Sequence, residues 1–236
     1  RAQMNRIEYR EANLRAENFE LDANDIVNAI SDTTQMIFLC SPNSPTGNLL
    51  DAEEIESIVQ IFDGIVVVDE SYIDFVPQAT VIGLLNKYKN LVVLRSFSHA
   101  WALAGLNLSA IIAHPDIICN IAKIALSHPI NTITINAALE MIKNRLDIDK
   151  WTRQIIDERT KVEIALKDIP ECEHIYHSDA NFLLVKFSNS ASIYKDLLKN
   201  GIAVHPVMGC LRLTIGLPQD NSALLGALRR RNSSIK

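Results

Sequence analysis

Short apolar runs rich in Ile and Val recur at residues 36–40, 65–68, 91–94 and 108–113. Each is too short for a helix and rich enough in apolar residues for a strand, so the pattern predicts four buried parallel strands covered on both faces. Between the first two, Asp51-Ala-Glu-Glu54 precedes Ile55, Ile58, Val59 and Phe62, which fall at i, i+3, i+4 and i+7. A capping acid followed by that spacing predicts an amphipathic crossover helix. A second helical patch at 81–85 separates the next pair of strands. The order β-α-β-α-β predicts an open α/β sheet with right-handed crossovers. A further strand-like stretch covers 6–14.

Beyond Pro115 the period becomes helical. Ile117, Ile118, Ile121, Ala122 and Ala125 share a face, residues 136–142 follow, and a long helix carries Trp151, Ile155, Ile156, Val162, Leu166 and Ile169. From Cys172 onward the pattern reads strand (182–187), helix (192–198), strand (211–215), helix (222–228), a small α/β unit. The chain therefore divides into a larger domain over 1–150 and a smaller one over 151–236, with the long helix bridging them.

Composition narrows the class of protein. With 48% hydrophobic and 22% charged residues in 236, the chain can bury a core and is not disordered. Lys and Arg total 23 against 28 Asp and Glu, a net charge of −5 with no basic stripe, which argues against nucleic acid as a partner. The apolar runs fall far short of the roughly 18 residues of a membrane span, so a soluble protein without a membrane partner is expected. Cys40, Cys119, Cys172 and Cys210 form no CxxC pair, and no signal peptide precedes the first element. Idle thiols in a reducing cytoplasm are the expectation. None of the histidines, His114, His128, His174 and His177 included, has metal-ligand spacing, so no metal is expected.

Ligands of open parallel sheets bind outside the carboxyl ends of the strands. Three of those ends carry unusual residues: Ser41-Pro-Asn-Ser-Pro-Thr-Gly47, Asp69-Glu-Ser-Tyr72 and Arg95-Ser-Phe-Ser-His-Ala100. Singly, each has an ordinary explanation as a turn, a cap or local backbone satisfaction. Together and in this order they are expected to converge on one crevice.

That combination resembles the fold type I pyridoxal-phosphate aminotransferases, most closely the histidinol-phosphate aminotransferase family. The family's PNNPTG, DEAYxxF and TxSKAFxLAGLRxG segments correspond to SPNSPTG, DESYIDF and SFSHAWALAGLNLS here. Residues 209–216 resemble its LRxTxG strand and 180–182 its small-domain NF strand. The resemblance implies a fold type I α/β architecture: a mostly parallel large-domain sheet that binds pyridoxal 5'-phosphate, and a small C-terminal α/β domain. It spans the whole chain but begins well inside a typical member. It thus implies that a Gly-rich phosphate turn and one or more strands of the large sheet lie outside this sequence, leaving a raw sheet edge.

The resemblance also assigns roles. Asp69 would keep the pyridine nitrogen protonated, making the ring an electron sink. Tyr72 and the amide position, here Ser44, would hydrogen-bond the ring oxygen. Ser96 and Ser98 would contribute to the phosphate cup. Arg212 would pair with a planar substrate anion through its fork. His205 stands about where the family often places a second, phosphate-binding arginine. A homodimer and a small phosphorylated amino-acid-like substrate are implied likewise.

Three positions depart from the family. The Schiff-base lysine is His99, whose imidazole forms no imine but can act as a base with a reference pKa of about 6.5. The phosphate-gripping arginine is Asn107, a loss of a charge-assisted bond of roughly 1.5–3 kcal/mol. The amide of the ring-oxygen pair is Ser44. Two readings follow. One is an enzyme of histidine biosynthesis that moves an amino group between histidinol phosphate and 2-oxoglutarate, with only trace turnover. The other is a non-catalytic relative or decayed fragment that keeps the fold and a dimer surface. A phosphothreonine decarboxylase of the same cofactor class fits the segment after Ala100 less well.

Overall fold

The computed structural model of the chain describes residues 2–126 and 128–233. Strands β1 (Met36–Cys40), β2 (Ile65–Asp69), β3 (Leu91–Ser96) and β4 (Ser109–Ala113) form one sheet in the order β1-β2-β3-β4. The first three are parallel, in a register that sets Cys40 beside Asp69 and Asp69 beside Leu94. One face is packed by helices α1 (Ala23–Ala29) and α2 (Ala52–Ile61). Ile37, Leu39, Val66, Val68, Leu91 and Val93 meet Ile55, Ile58, Val59 and Phe62 there, the alternate positions of the strands against the apolar stripe of α2. Asp51 caps α2 as expected, accepting from the Glu53 and Glu54 amides at 2.7 and 3.2 Å.

The structure corrects four expectations for this half. Residues 108–113 are not a buried parallel strand: β4 runs antiparallel to β3 and is half-exposed. The connection 97–108 holds only a 3-10 turn, Ala104–Leu106, too little for the crossover that a parallel return requires. The patch at 81–85 is 3-10 helix, Ile82–Asn86, rather than a full α-helix. Residues 6–14 form no strand; Glu8, Arg10 and Glu11 keep the segment exposed and it has no neighbour to pair with among the described residues. Nor is β1 covered on both faces, for Phe38 is 67% exposed.

Helices α3 (Pro115–Ala122) and α4 (Thr132–Lys143) follow, then α5 (Arg145–Leu166), the expected long helix shifted toward the N-terminus. The second sheet is antiparallel throughout, in the order β5-β6-β8-β7: β5 (Cys172–Ile175), β6 (Phe182–Phe187), β8 (Cys210–Thr214) and β7 (His205–Val207). α6 (Ser190–Lys199) and α7 (Pro218–Ser233) join α5 on one face, burying Leu183, Val185, Leu211 and Leu213 with Val162, Leu166, Ile193 and Leu228. The period of two along β6 and β8 sends Phe182 and Arg212 to the opposite face. There Phe182 packs with Tyr72, Phe75 and Ala100 of the first half, and Ile155 of α5 touches both cores.

Candidate active site

Strand register brings the carboxyl ends of β1, β2 and β3 side by side, with Cys40, Asp69 and Leu94 aligned. Asp69 is the last residue of β2, and its Oδ1 accepts from the Ser71 amide at 2.9 Å and the Ser71 hydroxyl at 2.5 Å. Two donors on one oxygen orient the carboxylate before any ligand arrives. Ser71 went unassigned in the sequence, although it occupies the alanine position of the DEAY segment.

Glu70, beside it, points the other way and is 1% exposed. It accepts from the Val81 amide at 2.7 Å and the Thr80 hydroxyl at 2.8 Å, and pairs with Arg95 Nε at 2.9 Å. Burial pushes its pKa up, and these donors and Arg95 oppose the shift. Arg95 also lies 3.5 Å from Asp74, which accepts from Trp101 Nε1 at 3.1 Å. The network ties the 3-10 turns after β2 to the loop after β3, and so sets where residues 97–101 lie. Sequence reading missed it because a strand-end glutamate is indistinguishable from a surface charge until its partners are known.

His99 is in that loop. Its ring stacks on Tyr72, centroids 4.2 Å apart and planes 18° from parallel. Tyr72 is buried and meets Phe182 edge-on at 5.2 Å. Arg212 reaches over from β8: Nη1 donates to the Ser44 hydroxyl at 3.1 Å, Nη2 donates to the Tyr72 hydroxyl at 3.3 Å, and the guanidinium lies 3.9 Å from the Phe182 ring centre. Ser44 and Arg212 are 168 residues apart, so this contact joins the two sheets directly. Phe182, known from sequence only as part of a strand, is the platform that holds the guanidinium.

The remaining expected residues are placed less tightly. Ser96 ends β3, and its hydroxyl accepts from the Ser98 amide at 3.1 Å, which shapes the turn leading to His99. Asn107 is exposed and sits in the left-handed region (φ 49°) as the C-cap of the 3-10 turn before β4. His205 is exposed on β7, its Cα directly opposite that of Arg212. Asn107 and His205 form no side-chain hydrogen bond with the cluster among the described residues.

Burial lowers the pKa of His99, Arg212 lowers it further, and Asp69 opposes both. The unfolded chain therefore binds this proton more readily, near pH 6.5, than the folded one. Stability linked to His99 is complete above about pH 6.5 and is lost as the pH falls through the lower folded value. Melting curves of the wild type from pH 8 to 5 are expected to fall more steeply than those of His99→Phe. Parallel curves would show that the imidazole titrates alike in the folded and unfolded chains, so that burial and Arg212 do not depress it.

Among the described residues no helix is long and apolar enough to cross a membrane, and no group of His, Cys, Asp or Glu is arranged to hold a metal ion.

Against known proteins, the family model for aminotransferase class I and II matches residues 1–228, and the chain belongs to that family of transferases. The histidinol-phosphate aminotransferase of Parabacteroides distasonis is 39% identical over 234 residues, covering 97% of this chain and 68% of that one. The one from Bacteroides thetaiotaomicron is 37% identical, with the same two coverages. These relatives place the chain in the histidinol-phosphate aminotransferase family, of whose members it spans about two thirds. The fold agrees. The crystal structure of the Clostridium acetobutylicum histidinol-phosphate aminotransferase superposes with a TM-score of 0.92 at 22% identity, over 99% of this chain and 74% of that one. That of the Sinorhizobium meliloti enzyme, in complex with pyridoxal-5'-phosphate, gives 0.82 at 21%, over 94% and 64%.

Proposed function

We propose that the crevice is a pyridoxal 5'-phosphate site of the histidinol-phosphate aminotransferase type that holds its cofactor by non-covalent contacts alone. The observation that carries this is the meeting of Tyr72, Ser44 and His99 from the first half with Arg212 from the second, beside the strand end that carries Asp69. The ring-binding half of the site fits the group: a pre-oriented carboxylate, a buried phenol and a hydroxyl on the oxygen side. The covalent half does not, because an imidazole stands where an amine is required. Lys87 is engaged with Glu56 and Lys123 with Asn120, away from the cluster.

When bound, this cofactor supplies an electron sink for a substrate carbanion. The chain's own residues do the rest. Asp69 holds the ring nitrogen, Tyr72 and Ser44 the ring oxygen, and the hydroxyls of Ser96 and Ser98 the phosphate. Asn107 gives the phosphate a neutral amide in place of a charged fork. Arg212 binds a substrate anion, with His205 on the adjoining strand beside it. His99 takes or returns a proton at a ring nitrogen. Positioned acid–base catalysis alone is worth ~10²–10⁴-fold, so amino transfer between histidinol phosphate and 2-oxoglutarate is reduced to a trace.

His99, Asn107 and Ser44 together favour a second reading, a non-catalytic relative that keeps the fold and pairs as a homodimer. In both readings residues 1–150 are a partial cofactor-binding domain and 151–236 a small domain, and the protein works in the cytoplasm. The separate apolar cores of the two sheets support that division. Treating the protein with pyridoxal phosphate and borohydride and then measuring its intact mass is expected to yield no site-specific adduct. A single adduct at a defined residue would contradict non-covalent binding. Growth of a histidine auxotroph carrying this chain would contradict the loss of activity.

A further inference from the structure

Phe19 lies before the first helix, and its backbone takes a conformation that a bulky residue seldom adopts, with φ at +58° in the left-handed region. Such a residue stays there only where its surroundings hold it. Its amide donates to the Arg15 carbonyl at 2.8 Å, and the Arg15 amide donates to the Glu20 carbonyl at 3.0 Å, which closes a tight turn. Its carbonyl accepts from Nδ2 of the buried Asn48 at 2.8 Å. Its ring is buried, lies 4.8 Å from that of Tyr176, and packs on Leu184 and Cys210 of the second sheet.

These two ends of Phe19 reach the two partners of a single contact, the bond between Ser44 and Arg212. On the carbonyl side, Asn48 Oδ1 accepts from the Thr46 hydroxyl at 2.6 Å, and Thr46 Oγ1 accepts from Asn43 Nδ2 at 2.7 Å. The Asn43 amide donates to the Asn48 carbonyl at 2.8 Å, so the same bonds shape the turn that presents Ser44. On the ring side, Leu184 is directly opposite Arg212 in the β6–β8 register and Cys210 lies two residues before it, so both share its face. Along β8, Phe182 supports the guanidinium from the Thr214 end, 3.9 Å from its ring centre, and Phe19 packs at the Cys210 end. Arg212 stands between two aromatic supports. With the second removed, the sheet is free to rock about the Phe182–Tyr72 contact.

We propose that Phe19 is a positioning residue for Arg212, a wedge that sets the second sheet against the 41–48 loop and so holds the guanidinium at the Ser44 and Tyr72 hydroxyls. It acts through Arg212 alone. The proposal rests on the reading of the crevice as a pyridoxal-phosphate site in which Arg212 binds a substrate anion.

Equilibrium dialysis of the whole chain with two ligands tests it. Pyridoxine 5'-phosphate carries ring and phosphate alone, and phosphopyridoxyl-glutamate, the reduced adduct of the cofactor with an amino acid, adds carboxylates for Arg212. The wild type is expected to bind the adduct about ten- to a hundredfold more tightly, the worth of a charge-assisted bond, and Arg212→Met to bind the two about equally. Phe19→Asn removes the ring but keeps the turn, because Asn adopts the left-handed conformation readily. It is expected to bring the preference below about threefold while pyridoxine 5'-phosphate binds within about twofold of the wild type. Phe19→Leu retains an apolar side chain on Leu184 and Cys210 and is expected to keep most of the preference. Tyr176→Ala, which withdraws the neighbouring ring, is expected to lower the preference by about threefold and decides the matter if Phe19→Asn does not fold. Circular dichroism and melting temperature establish which variants are folded. A folded Phe19→Asn that keeps the wild-type preference, or that weakens both ligands in equal measure, would overturn the role of Phe19 and leave the site standing; so would an unchanged preference in Tyr176→Ala should Phe19→Asn not fold. A wild type without preference, or an Arg212→Met that retains it, would overturn the reading of Arg212 and this proposal together. Failure of the wild type to bind either ligand would overturn the cofactor site as well.

Discussion

His99→Lys is expected to convert a protein that gives no borohydride-stabilised adduct with pyridoxal phosphate into one that gives a single adduct at residue 99. The loop that carries the residue is already held in place by the Glu70–Arg95–Asp74–Trp101 network, and none of those contacts involves the residue 99 side chain. A lysine stem can lie along the Tyr72 ring as the imidazole does now. Its ammonium would meet the same burial and the same Arg212 charge that lower the His99 pKa. Both influences disfavour the charged form, so the free amine, the nucleophile that covalent attachment requires, is better populated than on a surface lysine. Adding Asn107→Arg is expected to tighten retention by a further one to two decades, the worth of a charge-assisted bond of roughly 1.5–3 kcal/mol. Intact mass and peptide mapping after reduction decide the matter. If His99→Lys binds the cofactor reversibly yet gives no adduct at residue 99, the amine is out of reach of the bound ring, and the placement of His99 in the crevice is wrong.

The parts of this arrangement that could be read from the chain are those in which one residue type in one place has few alternatives. The apolar runs of β1, β2 and β3 announce strands, and the polar residues at their ends point to a ligand site only in combination, since Asp69 or Ser41–Gly47 alone reads equally as a cap or a turn. The direction of β4 was not legible from composition, since an apolar run reads the same either way; the length of the 97–108 connection held the answer. Strands β5 and β7 escaped because Glu173, His174 and His205 are exposed and interrupt any apolar period. In the site, Asp69, Tyr72 and Arg212 were accessible through motif, whereas Ser71, Glu70 and Phe182 acquire their roles only from tertiary neighbours. Asn107 shows the converse: motif drew attention to it, and the fold leaves it exposed on a left-handed turn.

Gly47→Ala is expected to lower the melting temperature by roughly 10 °C and to weaken ligand binding with it. Gly47 ends the SPNSPTG loop with φ at +92°, a region costly for any residue with a Cβ. An added Cβ would lie 2.4 Å from Ser178 Oγ and 3.3 Å from Ser178 Cα. The serine cannot swing aside without loss, because its hydroxyl donates to the Phe182 carbonyl and accepts from the Ala180 amide. Nor can the loop simply lift away: the Gly47 carbonyl accepts from the Asp179 amide at 2.8 Å, and Asp179 Oδ2 accepts from the Leu49 amide at 3.1 Å. Backbone strain and overpacking each cost about 1–3 kcal/mol, and for a chain of this length each kcal/mol is worth about 2–4 °C. Relief would push the 177–180 turn off the loop and carry Phe182 with it, and Arg212 rests on that ring while donating to Ser44 of the same loop. The damage therefore reaches the site through Phe182 and Arg212, which carry contacts from the second sheet to Tyr72 and Ser44 of the first half. Gly83→Ala, where an added Cβ meets no atom within 4 Å, is the matched control and is expected to change stability by no more than about 0.5 kcal/mol. If the two alanine variants melt together, the loop is free of the second sheet, and Arg212 cannot be held over Tyr72 by this junction.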